Sequence, residues 1–179
     1  MDNSPWNVLV AVSDIPDAGL HMEIEAPDEV RARLAALANV RALPRLSAVF
    51  DLTRRGASVH VSGRLSALVG QTCVVTLEPM ESSLDEEVDV LFAPPPAGAT
   101  VAGGEIEIPT FAGADEPPEP LVDGKIDLGA IAVEFLVLGI DPYPRKPGAE
   151  FAAPKADEPD AHPFAALAAL KKRPDGGHT

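Results

Sequence analysis

One thiol and four imidazole groups are the side chains of this 179-residue chain best suited to act as nucleophiles or to bind metal ions. Nucleophilic catalysis requires a nucleophile, a base and an orienting group that converge. The thiol, Cys73, lies between Thr72 and Val74 in an apolar run that predicts a strand, and burial among apolar groups raises the pKa of a thiol. We therefore interpret Cys73 as a structural cysteine rather than a reactive one.

The histidines lack the spacing of a metal site. His21 and His60 lie on the polar faces of predicted strands, where a solvated imidazole is ordinary, and His162 and His178 lie near the end of the sequence. None has a partner at the short spacing of zinc ligands, and no glycine pattern matches a phosphate-binding fingerprint. The sequence therefore predicts no catalytic site, no metal ion and no cofactor.

Glu134 is the carboxylate with the most unusual surroundings. It interrupts the apolar run from Ala130 to Ile140, which predicts a buried helix. We expect an ion pair with Arg145 or Lys146 of the following loop, because ion-pair networks also bury carboxylates. The alternative is a catalytic acid or base, which would make the protein a hydrolase.

Charge is divided sharply along the chain, whose formal net charge is -14. Residues 78–123 hold twelve acidic residues and no lysine or arginine. Residues 31–64 carry a formal net charge of +6, from seven arginines and the one acidic residue Asp51. The arginines are Arg31, Arg33, Arg41, Arg45, Arg54, Arg55 and Arg64. The basic segment suits RNA phosphates and the acidic segment suits a basic protein. The division predicts function by binding, and the net charge favours a protein partner.

A predicted sheet must position these charged residues. From Ala42 to Phe92 apolar and polar residues alternate, and Arg54 to Ala57 forms a turn between two strands. Further strands are predicted at Trp6–Val12, Leu20–Glu25, Thr72–Leu77 and Leu84–Phe92. The pattern is typical of an α+β fold: an antiparallel, curled β-sheet or partial barrel with two or three helices packed at its side and a flexible C-terminal segment.

Two helices are predicted to pack against this sheet. One spans Asp28 to Asn39 after Pro27, and the other runs to about Leu138 with Asp127 as its N-cap. Residues 1–150 are expected to form a single domain with a flexible loop at 93–120, in which residues 105–108 form a short strand or arm. Residues 151–179 are expected to form a flexible acidic linker and a short helix at 163–172.

The C-terminal helix offers a second mode of binding. Phe164, Leu167 and Leu170 share one face, so the helix either docks on its own sheet or engages a partner groove. A general adaptor that docks through this helix is therefore an alternative function.

No apolar stretch is long enough to cross a bilayer, and the sequence starts without the basic and apolar regions of a signal peptide. A cytoplasmic location without a membrane partner is expected, and the oligomeric state stays open.

Five segments of the sequence form a pattern when taken together: Val61–Leu65, Gln71–Pro79, Pro120–Gly129, Leu138–Gly148 and His162–Lys171. As a set they resemble the YceD family of large ribosomal RNA subunit accumulation proteins. The positions that carry the likeness are Gly63, Cys73, Leu77, Glu78, Pro79, Asp123, Gly124, Asp127, Leu128, Glu134, Pro142, Arg145, Phe164 and Leu167.

The resemblance implies a role in accumulation or processing of large-subunit ribosomal RNA and implies no enzymatic activity. The expected partner is a ribosomal precursor, contacted through large-subunit ribosomal RNA or through a basic large-subunit ribosomal protein. Many family members carry a Cys-x-x-Cys pair at this place. Here Cys73 matches the first position and Thr76 occupies the second, which argues against a metal or redox role for the pair.

Overall fold

The computed structural model describes residues 4–95 and 118–151. Within these ranges the chain forms seven strands, two α-helices and one turn of 3-10 helix at Val12–Asp14. The strands are β1 (Leu9–Ala11), β2 (Leu20–Glu25), β3 (Ala42–Arg55), β4 (Ser58–Thr72), β5 (Pro79–Ala93), β6 (Glu119–Pro120) and β7 (Lys125–Asp127). The helices are α1 (Asp28–Leu37) and α2 (Leu128–Gly139). The predicted arm at 105–108 and the predicted helix at 163–172 lie outside the described residues.

Five strands form one open sheet in the order β2-β3-β4-β5-β6. All neighbours are antiparallel except β5 and β6, which pair in parallel. A separate two-stranded sheet pairs β1 with β7. The predicted α+β fold with an antiparallel sheet and helices at its side is confirmed.

Alternating apolar residues define the inner face of this sheet. Phe50 and Leu52 of β3 and Val59, Val61 and Leu65 of β4 are fully buried. Because side chains in a strand alternate between the two faces, the residues between them point away from the core and form an outer face. Sheet register therefore decides which charged groups reach solvent on that face.

Helix α1 packs on the inner face through Val30, Leu34 and Ala35, which are buried. Pro27 precedes its first turn, where the missing N–H costs no hydrogen bond, and Asp28 and Glu29 lie near the positive end of the helix dipole. The prediction of this helix is confirmed, although the helix ends at Leu37 instead of Asn39.

Three predicted strands differ from the structure, and the one predicted at Leu84–Phe92 is the longer β5, Pro79–Ala93. The strand predicted at Trp6–Val12 is shortened to Leu9–Ala11 and lies in the small sheet. The strand predicted at Thr72–Leu77 is wrong, because β4 continues through Gly70 to Thr72 and a loop follows. Gly70 does not break β4: it faces Ala42 closely, and its carbonyl accepts the N–H of Arg41 at 2.8 Å.

Asp127 joins the small sheet to α2. Its side chain accepts the backbone N–H groups of Gly129 and Ala130, so the predicted N-cap is confirmed. The same oxygen also accepts the N–H of Val8 at 2.8 Å, a residue 119 positions away. One carboxylate therefore accepts hydrogen bonds both from the first turn of α2 and from the residue that precedes β1.

Replacing this carboxylate tests its double role. We expect Asp127→Ala to lower the free energy of unfolding by about 1–2 kcal/mol, because three buried or half-buried N–H groups lose their acceptor. Urea denaturation monitored by circular dichroism measures the change. Asp127→Asn retains an acceptor oxygen and is the matched control; an equal loss in both variants would contradict the hydrogen-bonding explanation.

Candidate functional site

The structure does not bring the seven predicted contact arginines onto one surface. Arg31 and Arg33 lie on α1, and Arg41 precedes β3. The others lie on the strands: Arg45 and Arg64 on the outer face, and Arg54 and Arg55 at the end of the β3–β4 hairpin. The basic segment of the sequence is therefore spread over a helix, the sheet and a hairpin end.

Three of these arginines are engaged within the chain, and the longest contact is that of Arg33, whose Nε donates to the carbonyl of Glu29 at 3.4 Å. The guanidinium of Arg31 donates to the carbonyl of Ala26 at 2.6 Å and to Asp28 at 2.7 Å. Arg64 pairs with Glu87 across β4 and β5 at 3.1 Å. Such exposed pairs contribute little stability, but they reduce the positive charge available to an RNA phosphate.

Carboxylates dominate the outer face. The cross-strand register places acidic residues on β2, on β3 and all along β5: Glu23, Glu25, Asp51, Glu81, Asp85, Glu87 and Asp89. Strand β5 alone contains five carboxylates, including Glu86 on its other face, and no lysine or arginine. This surface is the acidic sheet face referred to below.

Several of these carboxylates are held in place by neighbours on the same face. Asp51 contacts His21 at 2.8 Å, and the hydrogen bond and charge of Asp51 raise the pKa of His21 above its usual value. Asp89 contacts His60 at 2.9 Å, and Asp85 accepts the hydroxyl of Ser66 at 2.6 Å. The acidic sheet face is therefore an ordered set of side chains.

A second cluster forms where two of the signature segments meet. The loop between β4 and β5 packs against the segment that follows α2, and the N–H of Val74 donates to the carbonyl of Pro144 at 2.9 Å. The ammonium of Lys146 donates to Glu78 at 2.8 Å, which lowers the pKa of that carboxyl. We call this cluster the loop junction.

Gln71 is a buried polar residue that supports the loop junction. Its amide donates to the carbonyl of Asp141 at 2.8 Å and accepts the hydroxyl of Ser82 at 2.9 Å. Sequence reasoning did not single out Gln71, Ser82 or the pairing of Lys146 with Glu78. The partners of these contacts lie 11, 68 and 70 positions apart in the chain, and the signal in the sequence was that Gln71 lies two residues before Cys73 in a signature segment.

Cys73 lies at the centre of the loop junction and is fully buried. The Thr76 side chain and the backbone N–H groups of Lys146 and Thr76 lower the pKa of its thiol to about 6. Burial does raise the pKa of this thiol, but the donors lower the pKa by more, so the net direction is opposite to the one expected from an apolar strand. Its burial agrees with a structural role.

The other positions of the family pattern have structural surroundings. Gly63 lies where a Cβ atom would approach the Val49 carbonyl to 2.1 Å, so no other residue fits there without movement. Asp123 and Gly124 have positive φ in the turn before β7. Leu128 is fully buried, whereas Leu77, Pro79, Pro142 and Arg145 are exposed. Phe164 and Leu167 lie outside the described residues.

The prediction that Glu134 is buried and paired with Arg145 or Lys146 was wrong. Glu134 is exposed, and Lys146 pairs with Glu78 instead. Helix α2 buries only one face, so Leu138 beyond Glu134 is also 74% exposed. Glu134 lies in a groove of about 770 Å³ between α2 and the end of β5, beside Phe135.

Within residues 4–95 and 118–151 no group of three histidine, cysteine, aspartate or glutamate side chains is placed to hold a metal ion. Among the helices that the structure describes, none is long and apolar enough to cross a membrane.

Comparison with known proteins identifies one family. The family model described as "Large ribosomal RNA subunit accumulation protein YceD" matches residues 61–171, more than half of the chain. This range runs from β4 through both segments of the loop junction and includes β5. No curated protein and no solved structure was found to match the chain.

The thiol of Cys73 predicts a pH dependence of stability. An unfolded thiol keeps its proton up to about pH 8.5, whereas the folded one loses it at about 6. Between these two pH values the unfolded state binds more protons than the folded state. The free energy of unfolding therefore rises as the pH rises above about 6, and the contribution of the thiolate is lost below about pH 6. We expect Cys73→Ser to abolish this rise, measured by urea denaturation across that range.

Comparing two variants separates titration from packing. Both Cys73→Ser and Cys73→Ala lack the titrating group and should show the same flattened pH dependence, while differing in absolute stability because serine keeps an acceptor. A variant that retains the wild-type rise would show that other groups cause it.

Proposed function

We propose that this chain, which belongs to the YceD family of large ribosomal RNA subunit accumulation proteins, supports that accumulation by holding a basic ribosomal protein. The partner would be a large-subunit protein kept in a soluble, binding-competent state before it meets ribosomal RNA. The role is one of binding, carried out in the cytoplasm where the subunit assembles, and we expect no catalysis from it.

The acidic sheet face is the observation that supports this proposal. Its carboxylates are spread over three strands, and those at the ends of the rows, such as Glu25 and Glu81, have no basic neighbour directly across the strands. Complementary potentials accelerate association and select partners by charge. A basic ribosomal protein has the complementary charge, whereas RNA would be repelled from this face.

Direct RNA binding is the alternative that this arrangement disfavours. Sequence-independent RNA affinity comes from phosphate contacts and needs several cations on one surface. Here Arg54 and Arg55 lie at the hairpin end, and Arg64 is paired with Glu87. Stacking on bases beside these cations needs an exposed aromatic ring, and Phe50, the aromatic residue of the arginine-rich segment 31–64, is fully buried.

Neutralising part of the acidic sheet face tests the proposal. We expect the combined change Glu23→Gln, Glu25→Gln and Glu81→Gln to weaken binding of purified basic large-subunit ribosomal proteins by about tenfold, since each exposed charge pair contributes up to about 1 kcal/mol. Calorimetry at low and moderate salt measures the affinity. Sucrose-gradient profiles of cells that carry the variant should show fewer large-subunit precursors.

The matched control removes the same charge elsewhere. Asp17→Asn, Glu29→Gln and Asp123→Asn lie off the acidic sheet face and should leave the affinity unchanged. A salt-sensitive affinity for ribosomal RNA that Arg54→Glu with Arg55→Glu abolishes would contradict the proposal and support RNA contact.

A further inference from the structure

Among residues 4–95 and 118–151, no strand pairs with one side of β5 over most of its length. Strand β5 pairs with β4 from Pro79 to Phe92. On its other side, the described part of the chain supplies only β6, which pairs with Phe92 and Ala93. The backbone groups of β5 before Phe92 that point away from β4 thus face no other strand among the described residues. Such an edge is a template for a further strand.

The chain itself limits its own pairing at this edge. Residues 118 and 120 are prolines on either side of Glu119, and their backbone nitrogens point away from β5, since the N–H of Leu121 donates to the carbonyl of Ala93. The described β6 pairs with β5 at two residues, Glu119 and Pro120. A longer added strand at β5 has to come from another part of the chain or from another polypeptide.

Charge selects among the possible strands. The carboxylates of β5 disfavour a second copy of the same edge, because like charges directly opposite each other destabilise a strand pair. The segment before β6 also contains acidic residues, Glu105 and Glu107 among them, and no lysine or arginine. A strand rich in lysine or arginine is attracted instead, and its side chains reach the carboxylates of the acidic sheet face.

The groove beside α2 adds an apolar requirement. Its volume is about 770 Å³, and Leu91, Phe92, Phe135 and Leu138 contribute to its lining. Asp89 and Glu134 also line it. A strand that alternates basic and apolar residues matches both sides: basic side chains on the acidic sheet face and apolar side chains toward the groove.

We propose that the free edge of β5 takes up an extended basic segment of the partner protein as an added strand. The inference rests on the proposed function, since the partner is the basic ribosomal protein proposed above, and it specifies how that partner is held. Main-chain hydrogen bonds provide affinity, and alternating side chains provide selectivity.

A model peptide tests this mode in the full-length chain. The probe is a short peptide of alternating lysine and valine. Its control peptide has the same side chains, but the backbone nitrogens along both hydrogen-bonding edges of the peptide are methylated. We expect the control to bind about tenfold or more weakly, because N-methylation removes the hydrogen bonds of the added strand and leaves the charge unchanged. Calorimetry measures both affinities.

Amide hydrogen exchange locates the bound peptide. In the free protein, alternate amides of β5 between Met80 and Leu91 should exchange rapidly, and the unmethylated peptide should protect them. Protection of all these amides without peptide would show that the chain covers its own edge and would overturn the inference.

The remaining outcomes separate this inference from the proposed function. Equal binding of both peptides would overturn strand addition while leaving charge-based capture on the acidic sheet face intact. If neither peptide binds, and if the carboxylate variants still bind ribosomal proteins as tightly as the wild type does, then both the strand addition and the proposed function are overturned.

Discussion

The structure depends on the register in which β4 pairs with β3 and β5. β4 pairs with both neighbours along most of its length, and Val59, Val61 and Leu65 on its inner face are fully buried. A shift by one residue would turn these side chains to solvent and bring Ser62 and Arg64 into the core. Gly63 restricts the register further, because only a residue without a side chain fits against the carbonyl of Val49. The composition of the acidic sheet face follows from this constraint.

The elements that depend on local pattern could be predicted from the sequence. Alternation predicted the pairing region from Ala42 to Phe92, and Pro27 and Asp127 marked the starts of both helices. The prediction of a separate strand after Gly70 was wrong because it treated this glycine as a strand end. Gly70 instead lies inside β4, where the backbone of β4 comes close to Ala42 of β3, and the local sequence does not show that contact.

The loop junction could not be predicted in its geometry, because its contacts join residues about seventy positions apart. The interaction of Gln71 with Asp141 and that of Cys73 with Lys146 depend on where α2 directs the chain after Gly139. For the same reason Glu134 was misplaced. An apolar composition indicates that a helix is buried, but only packing decides which side is covered, and α2 leaves Glu134 and Leu138 exposed.

Charge in the sequence and charge on the surface differ for a geometric reason. The arginine-rich segment crosses a helix, a hairpin end and a strand, so its charges point in different directions and some meet carboxylates, as Arg64 meets Glu87. The acidic segment instead contains one long strand, β5, whose alternate residues share a face. Strand β2, at the opposite edge of the sheet, adds Glu23 and Glu25 to the same face. Secondary structure thus disperses the positive charge of the arginine-rich segment and concentrates the negative charge of the acidic segment on one face of the sheet.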